Sequence, residues 1–217
     1  MRSRYNLDTE RCFNLQSRWE SLLQPFQVEQ EIGQKVLLEL FEAYSSDGRY
    51  YHTLEHIEQV LATLNDLRSL SQNYAAIEFA AWFHDAVYNP KANDNEEKSA
   101  EYAAMILKGL DIPSSTIEVV YSLIRKTKYN QNIDGIDSKI FLDADLSILG
   151  ASATKYRIYA QAIRKEYLWV SSTKYRTGRK QVLQSFLNRK RIYFTEKMFV
   201  ALEQQARQNI KEEMELL

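Results

Sequence analysis

Tyr74-Ala75-Ala76-Ile77-Glu78-Phe79-Ala80-Ala81-Trp82-Phe83-His84-Asp85-Ala86-Val87 is the stretch from which the fold can be read. Apolar residues fill nearly every position. A helix with almost no polar face belongs in the middle of a core, so the run predicts a central helix over residues 74–87. Near its end stand a histidine and an aspartate, groups whose unpaired burial costs on the order of several kcal/mol. Two readings follow: His84 is satisfied inside the core while Asp85 caps the next segment, or both side chains bind one ion.

Outward from this run, apolar residues recur at spacings of three and four along nearly the whole chain. The pattern predicts helices over about residues 9–23, 29–44, from 52 or 53 onward, 96–110, from 114 to about 126, 143–149, 153–169, 175–193 and 195–215. Residues 129–138, polar with one glycine, read as a loop, and Gly150 reads as a stop. Six glycines and three prolines leave little material for hairpins. No strand pattern, internal repeat or linker competes. The expectation is one all-α domain over residues 1–217, with its motifs at about 49–150 and the helices of 152–217 packed on that core.

Composition narrows the function. A formal net charge of −1 gives no global field for nucleic acid or an anionic membrane. Cys12 is the only cysteine, which excludes an internal disulfide and a thiolate metal cluster. No signal-peptide core or long apolar run occurs, so the chain is expected to be soluble and cytoplasmic, with no membrane partner. Lys174, Arg176, Arg179, Lys180, Arg189, Lys190 and Arg191 make residues 174–191 basic. Their charges lie around the helix rather than in one stripe, which reads as a solvated face and makes nucleic acid an unlikely partner.

The chain has three histidines, and they fall at two places: Tyr51-His52-Thr53-Leu54-Glu55-His56 and Trp82-Phe83-His84-Asp85. Histidine is the commonest metal ligand, and carboxylates complete sites for divalent ions. Spacing i, i+4 sets His52 and His56 on one helix face. If the helix begins at His52, that residue instead sits at the helix mouth, facing solvent or substrate. His-x3-His is common, and two polar residues at a helix start explain it equally well. Asp143 and Asp145 in Phe141-Leu142-Asp143-Ala144-Asp145-Leu146 are spaced i, i+2 and so point in different directions. Either both are caps, or one adds a carboxylate to a centre that holds His56, His84 and Asp85.

The order His…His-Asp…Asp in an all-α chain resembles the HD superfamily of metal-dependent phosphohydrolases. Residues 49–56 and 141–150, with Ile163-Arg164-Lys165-Glu166-Tyr167 and Ala206-Arg207-Gln208-Asn209, are similar to a bacterial subgroup of predicted HD superfamily hydrolases. The resemblance implies an HD-type helical bundle, with His56, His84, Asp85 and a last aspartate as metal ligands. The family's last motif is Ala-Asp followed by an apolar helix, which favours Asp145 over Asp143. Tyr51-His52-x3-His56 is also similar to the start of cyclic-nucleotide phosphodiesterase sites, which makes His52 the candidate general acid. Two-metal members place a further histidine near the end of a later helix, where this chain has Lys126-Thr127-Lys128-Tyr129-Asn130. One firmly held divalent ion is therefore expected; a second would need Glu97 or Asp143.

The function so implied is metal-dependent hydrolysis of a small phosphate ester or nucleotide. Asp85 or a neighbouring carboxylate would orient the attacking water, and His52 would protonate the departing oxygen. Two imidazoles with two carboxylates suit Mn²⁺, Fe²⁺, Co²⁺, Ni²⁺ or Zn²⁺, and Mg²⁺ less well. Arg49, Lys126, Lys128 and Arg164 are the cationic candidates for the phosphate, each also readable as a surface or salt-bridge residue. Glu97 either complements the dipole of its helix or supports a ligating histidine, and Asp143 is a second candidate for such support. The alternatives are a non-catalytic metal- and nucleotide-binding regulatory module, or a metal-dependent hydrolase or oxygenase acting on another bond.

Overall fold

A computed structural model describes residues 4–128 and 133–217. Among these, the regular structure is entirely helical: α1 (Arg4–Leu23), α2 (Gln30–Tyr44), α3 (Leu54–Leu67), α4 (Tyr74–Phe83), α5 (Asn95–Gly109), α6 (Ser114–Arg125), α7 (Ile136–Asp145), α8 (Ala153–Glu166), α9 (Ser172–Leu187) and α10 (Glu196–Leu216). Short 3₁₀ turns follow α1, α3 and α7, the last spanning Leu146–Gly150. No described helix is both long enough and apolar enough to cross a membrane.

The apolar run forms α4, and every residue from Ala76 to Phe83 is buried. Asn73 starts the helix, its side chain accepting a hydrogen bond from the Ala76 N–H at 3.1 Å, a cap worth about 1 kcal/mol. Glu78, the one charged residue of α4, is compensated by Arg18 of α1 at 2.5 Å. Trp19 of α1 meets Phe79, Trp82 and Phe83 edge-on. Burying each such ring stabilises by roughly 1.5–3 kcal/mol.

This helix is four residues shorter than its apolar pattern predicts. A turn closed by Ala86 N–H on the Phe83 carbonyl follows it at once. The carbonyls of Asp85 and Ala86 have no helical donors, and the Arg49 guanidinium supplies them at 2.8 and 3.0 Å. His84 and Asp85 therefore leave the end of α4 rather than project from its flank.

α3, α4 and α7 pack against one another, which brings the start of α3 and the ends of α4 and α7 together. α7 begins at residue 136, within the stretch that reads as loop, and ends where a helix over 143–149 is expected; 3₁₀ geometry replaces the rest. Residues 129–132 of that loop lie outside the described residues. The polar first turn of α7 has a structural reason: the Asp137 carboxylate accepts from the N–H groups of Gln72 and Asn73 at 2.8 and 2.9 Å and docks onto the start of α4. Gly135, with φ +81°, admits the chain to this helix.

The 3₁₀ turn after α7 packs on α10 and α8. A Cβ at Gly150 would lie 2.5 Å from the Leu202 Cβ and 2.9 Å from both the Leu202 carbonyl oxygen and the Tyr193 hydroxyl; the first two belong to the α10 backbone or its stem and cannot swing away. Gly150→Ala is expected to lower the unfolding free energy by about 1–3 kcal/mol, measured by urea denaturation. An unchanged midpoint would show that α10 is free to shift and is not locked on the turn.

Candidate metal centre

His56 lies in the first turn of α3, on the helix face that also buries Ile57, Val60 and Leu61. His84 is delivered by the turn after α4. Both rings are almost fully buried, 3% and 2% exposed. Their Nε2 atoms stand 3.1 Å apart, and Asp145 Oδ1 at the end of α7 is 3.3 Å from the first and 3.5 Å from the second. The ligating atoms of these three residues all lie within 4.8 Å of one another, a group that could hold a metal ion. Asp85 stands beside the trio, its Oδ2 3.1 Å from His84 Nε2 and 3.7 Å from His56 Nε2.

The chemistry of this donor set fits a divalent cation. His84 Nδ1 lies 2.9 Å from the Ala81 carbonyl, so a proton held there aims the Nε2 lone pair into the cluster. Burial and the neighbouring His84 charge lower the pKa of His56. Burial also works against the charged form of His84, but the Asp85 and Asp145 carboxylates reverse this and raise its pKa well above the ordinary imidazole value. Burial likewise fails to raise Asp85 and Asp145; the imidazoles hold both well below the usual carboxylate range. The cluster thus brings two carboxylates and two imidazoles to one point and balances them with positive charge.

His52 precedes α3, because Thr53 is the N-cap, so the i, i+4 argument for a shared helix face does not apply to it. It is instead fixed by a residue that sequence reasoning did not assign to the site. Glu166, at the end of α8, accepts from His52 Nδ1 at 2.7 Å and from the Tyr88 hydroxyl at 2.8 Å. The same carboxylate accepts from the consecutive backbone N–H groups of Tyr50, Tyr51 and His52 at 2.7, 2.7 and 3.1 Å. With Nδ1 so occupied, His52 Nε2 points toward Asp85 Oδ2, 4.0 Å away. Burial disfavours the imidazolium, yet Asp85 and Glu166 together raise its pKa. The legible signal for Glu166 was a carboxylate on the buried stripe of α8, where Tyr156 and Ile163 are its companions.

The remaining candidates divide. Lys126 and Lys128 line, with Asp145, a cavity of about 490 Å³. Arg49 does not face that space. Its guanidinium lies over the rings of Tyr44 and Tyr88 and donates to Ser46 and to the carbonyls of His52, Asp85 and Ala86, so it ties the two histidine segments together. Arg164 is turned to another cavity and donates to the Tyr167 carbonyl. Glu97 pairs with Tyr121 and Arg125 and touches no histidine. Asp143, fully buried, accepts from the N–H groups of Phe194 and Thr195 and from the Thr195 hydroxyl, at 2.7, 2.7 and 2.6 Å. It supports a loop, not a ligand, so Asp143 and Asp145 are both engaged rather than one pointing out.

Compared with known proteins, the chain matches no family model, no curated protein and no solved structure.

Two measurements test this division. Asp143→Ala is expected to cost about 2–4 kcal/mol of stability, since it leaves buried N–H groups without an acceptor, and to leave metal binding intact. Asp145→Ala is expected to abolish stoichiometric Mn²⁺ binding with a smaller stability loss than Asp143→Ala, because its imidazole partners can shed a proton when the carboxylate is removed, whereas backbone N–H groups cannot. Equal effects of the two would reject the assignment. The second measurement concerns Glu166: burial would raise its pKa, but His52 and the backbone donors lower it from 4.5 to about 2. A folded-state value below the unfolded one stabilises above pH 4.5 and is lost as pH falls through about 2. The stability advantage over Glu166→Gln should be full at neutral pH and shrink across that window; a flat difference would contradict the ionised dyad.

Proposed function

We propose that this chain is a metal-dependent phosphohydrolase on an HD-type helical bundle, acting on a small phosphate ester or nucleotide. The observation that carries the reading is the convergence of His56, His84 and Asp145 from three helix ends onto one point, with Asp85 beside them and His52 at the rim. The order of these residues along α3, α4 and α7 supports the HD-type assignment.

His56, His84 and Asp145 would hold one divalent ion, with Asp85 as a further ligand. Bound there, such an ion supplies Lewis acidity, lowering the pKa of water and polarising the phosphoryl oxygen. Asp85 Oδ2, between His84 and His52, would accept a hydrogen bond from water entering at that edge and so orient it. His52, charged and clamped by Glu166, presents Nε2 as the donor to the departing alkoxide. Lys126 and Lys128, which line a cavity with Asp145, would neutralise the ester's phosphate.

The test is phosphate release from a panel of nucleotides and simple esters with added Mn²⁺, Co²⁺ or Mg²⁺. His84→Ala is expected to lower turnover at least about 100-fold together with metal content. His52→Ala is expected to lower kcat by about 10²–10⁴ with metal content unchanged. Nucleotide binding without release in any metal would favour a regulatory module on the same scaffold. Failure to bind metal at saturation would remove both readings.

A further inference from the structure

We infer that the cavity at Asp145 selects substrates with more than one phosphate group, its second phosphate subsite being the cationic segment between α9 and α10. The inference rests on the phosphohydrolase reading only for what happens at the first phosphate.

Five cations line this cavity: Lys126 and Lys128 from the end of α6, and Arg189, Lys190 and Arg191 from the segment after α9. Among the described residues, the one acidic group lining it is Asp145, which is turned to the histidine cluster. The Lys126 ammonium donates to Ser138 Oγ at 2.9 Å and to the Asp134 carbonyl at 3.4 Å, and that of Lys128 to the Asn93 carbonyl at 2.6 Å. These acceptors are neutral, so they position the charges without cancelling them. Arg191 has a carboxylate partner, Glu196 at 2.9 Å, but that pair is exposed and screened by salt. Leu142, Leu146 and Phe194 make an apolar floor.

The segment that carries three of these cations is irregular, yet its backbone is held by charged groups, the half-buried Arg207 and the buried Glu203 and Asp143. Arg207 donates to the carbonyls of Leu187, Arg189 and Lys190 at 3.1, 2.7 and 3.3 Å. Glu203, paired with Arg207 at 2.7 Å, accepts from the N–H groups of Ile192 and Tyr193. Asp143 takes the next two N–H groups, those of Phe194 and Thr195. The Tyr193 hydroxyl donates to the Leu146 carbonyl at 3.0 Å, next to Asp145. A surface stretch whose only task is solubility needs no such anchoring. Here it fixes consecutive cations against the repulsion of Lys126 and Lys128, beside the residue that reaches the metal cluster.

A single phosphate at the cluster needs only some of these five cations, which leaves the others for a second anionic group. A cavity of this volume takes a small molecule rather than a nucleic-acid strand. The ligand class is therefore a di- or triphosphate chain, free or carried by a nucleoside whose base could lie on the apolar floor.

The experiment is calorimetric titration of the full chain with inorganic orthophosphate, pyrophosphate and tripolyphosphate at a fixed free Mg²⁺ concentration, with phosphate release followed separately. Affinity should rise at least about 10-fold from orthophosphate to tripolyphosphate, as charge-assisted contacts are added. The double variant Lys128→Ala, Lys190→Ala, two exposed side chains, should lose most of that increment. Arg176→Ala, on the wall of the other cavity, should keep it. Equal affinity for the three anions, or an unchanged increment in the double variant, would overturn the inference. Binding with the full increment but no phosphate release would leave the subsite standing and refute the hydrolase reading; release without the increment would do the reverse.

Discussion

A buried carboxylate is tolerated only where donors surround it, and this chain turns that cost into a means of fixing irregular backbone. Glu166 gathers the N–H groups of residues 50–52, Glu203 those of 192 and 193, and Asp143 those of 194 and 195. Each segment joins helices and has N–H groups that no helical ladder can satisfy. With six glycines and three prolines in the whole chain, turn residues cannot define these connections. Carboxylates projecting from helices define them instead, and the segments so fixed carry His52 and the cationic wall.

The histidine cluster obeys the same constraint by another route. Asp85 and Asp145 are compensated mainly by imidazoles, not by peptide N–H groups. The contrast with Asp143, two residues away, is instructive. Surrounded by neutral donors, Asp143 is still pushed up by burial to about 6, whereas the imidazoles beside Asp145 hold it down. Backbone donors make a carboxylate a fixed structural tie. Mobile positive charge, whether a proton or a cation, makes it a binding site.

Helix periodicity was legible along most of the chain, because most helices bury one face and the 3.6-residue repeat records it. The ends were less so. Ala86 and Val87 extend the apolar run of α4, but apolarity does not say where the hydrogen-bond ladder stops; Arg49, distant in sequence, decides that by capturing the carbonyls. The polar residues at the start of α7 read as loop because the partner of Asp137 is the backbone at the start of α4. At the site, the clustering of every histidine was visible, while the choice between Asp143 and Asp145 needed a resemblance, since i, i+2 spacing alone treats them alike. Glu97 and Arg164 were drawn to the site by composition and proximity. Their partners, Tyr121, Arg125 and the Tyr167 carbonyl, lie elsewhere. Glu166 was not assigned to the site, because its role depends on a segment far back in the chain.

α7 is the element on which these separate features become one device. Asp145 leaves it toward His56 and His84, and Asp143 leaves it toward the cationic segment. Both lie within one turn of a helix that rises about 1.5 Å per residue, so the offset between cluster and wall is set by helix geometry rather than by loop length. The Tyr193–Leu146 hydrogen bond and the close seating of Gly150 on α10 repeat the tie just beyond the helix end. A shift of α10 would therefore move the cationic wall relative to α7 only by breaking buried charge-assisted hydrogen bonds. The spacing between the point where an ion would sit and the segment where a distal anion would be held is thus set by the fold, and on the proposed reading it would discriminate among anions by length as well as by charge.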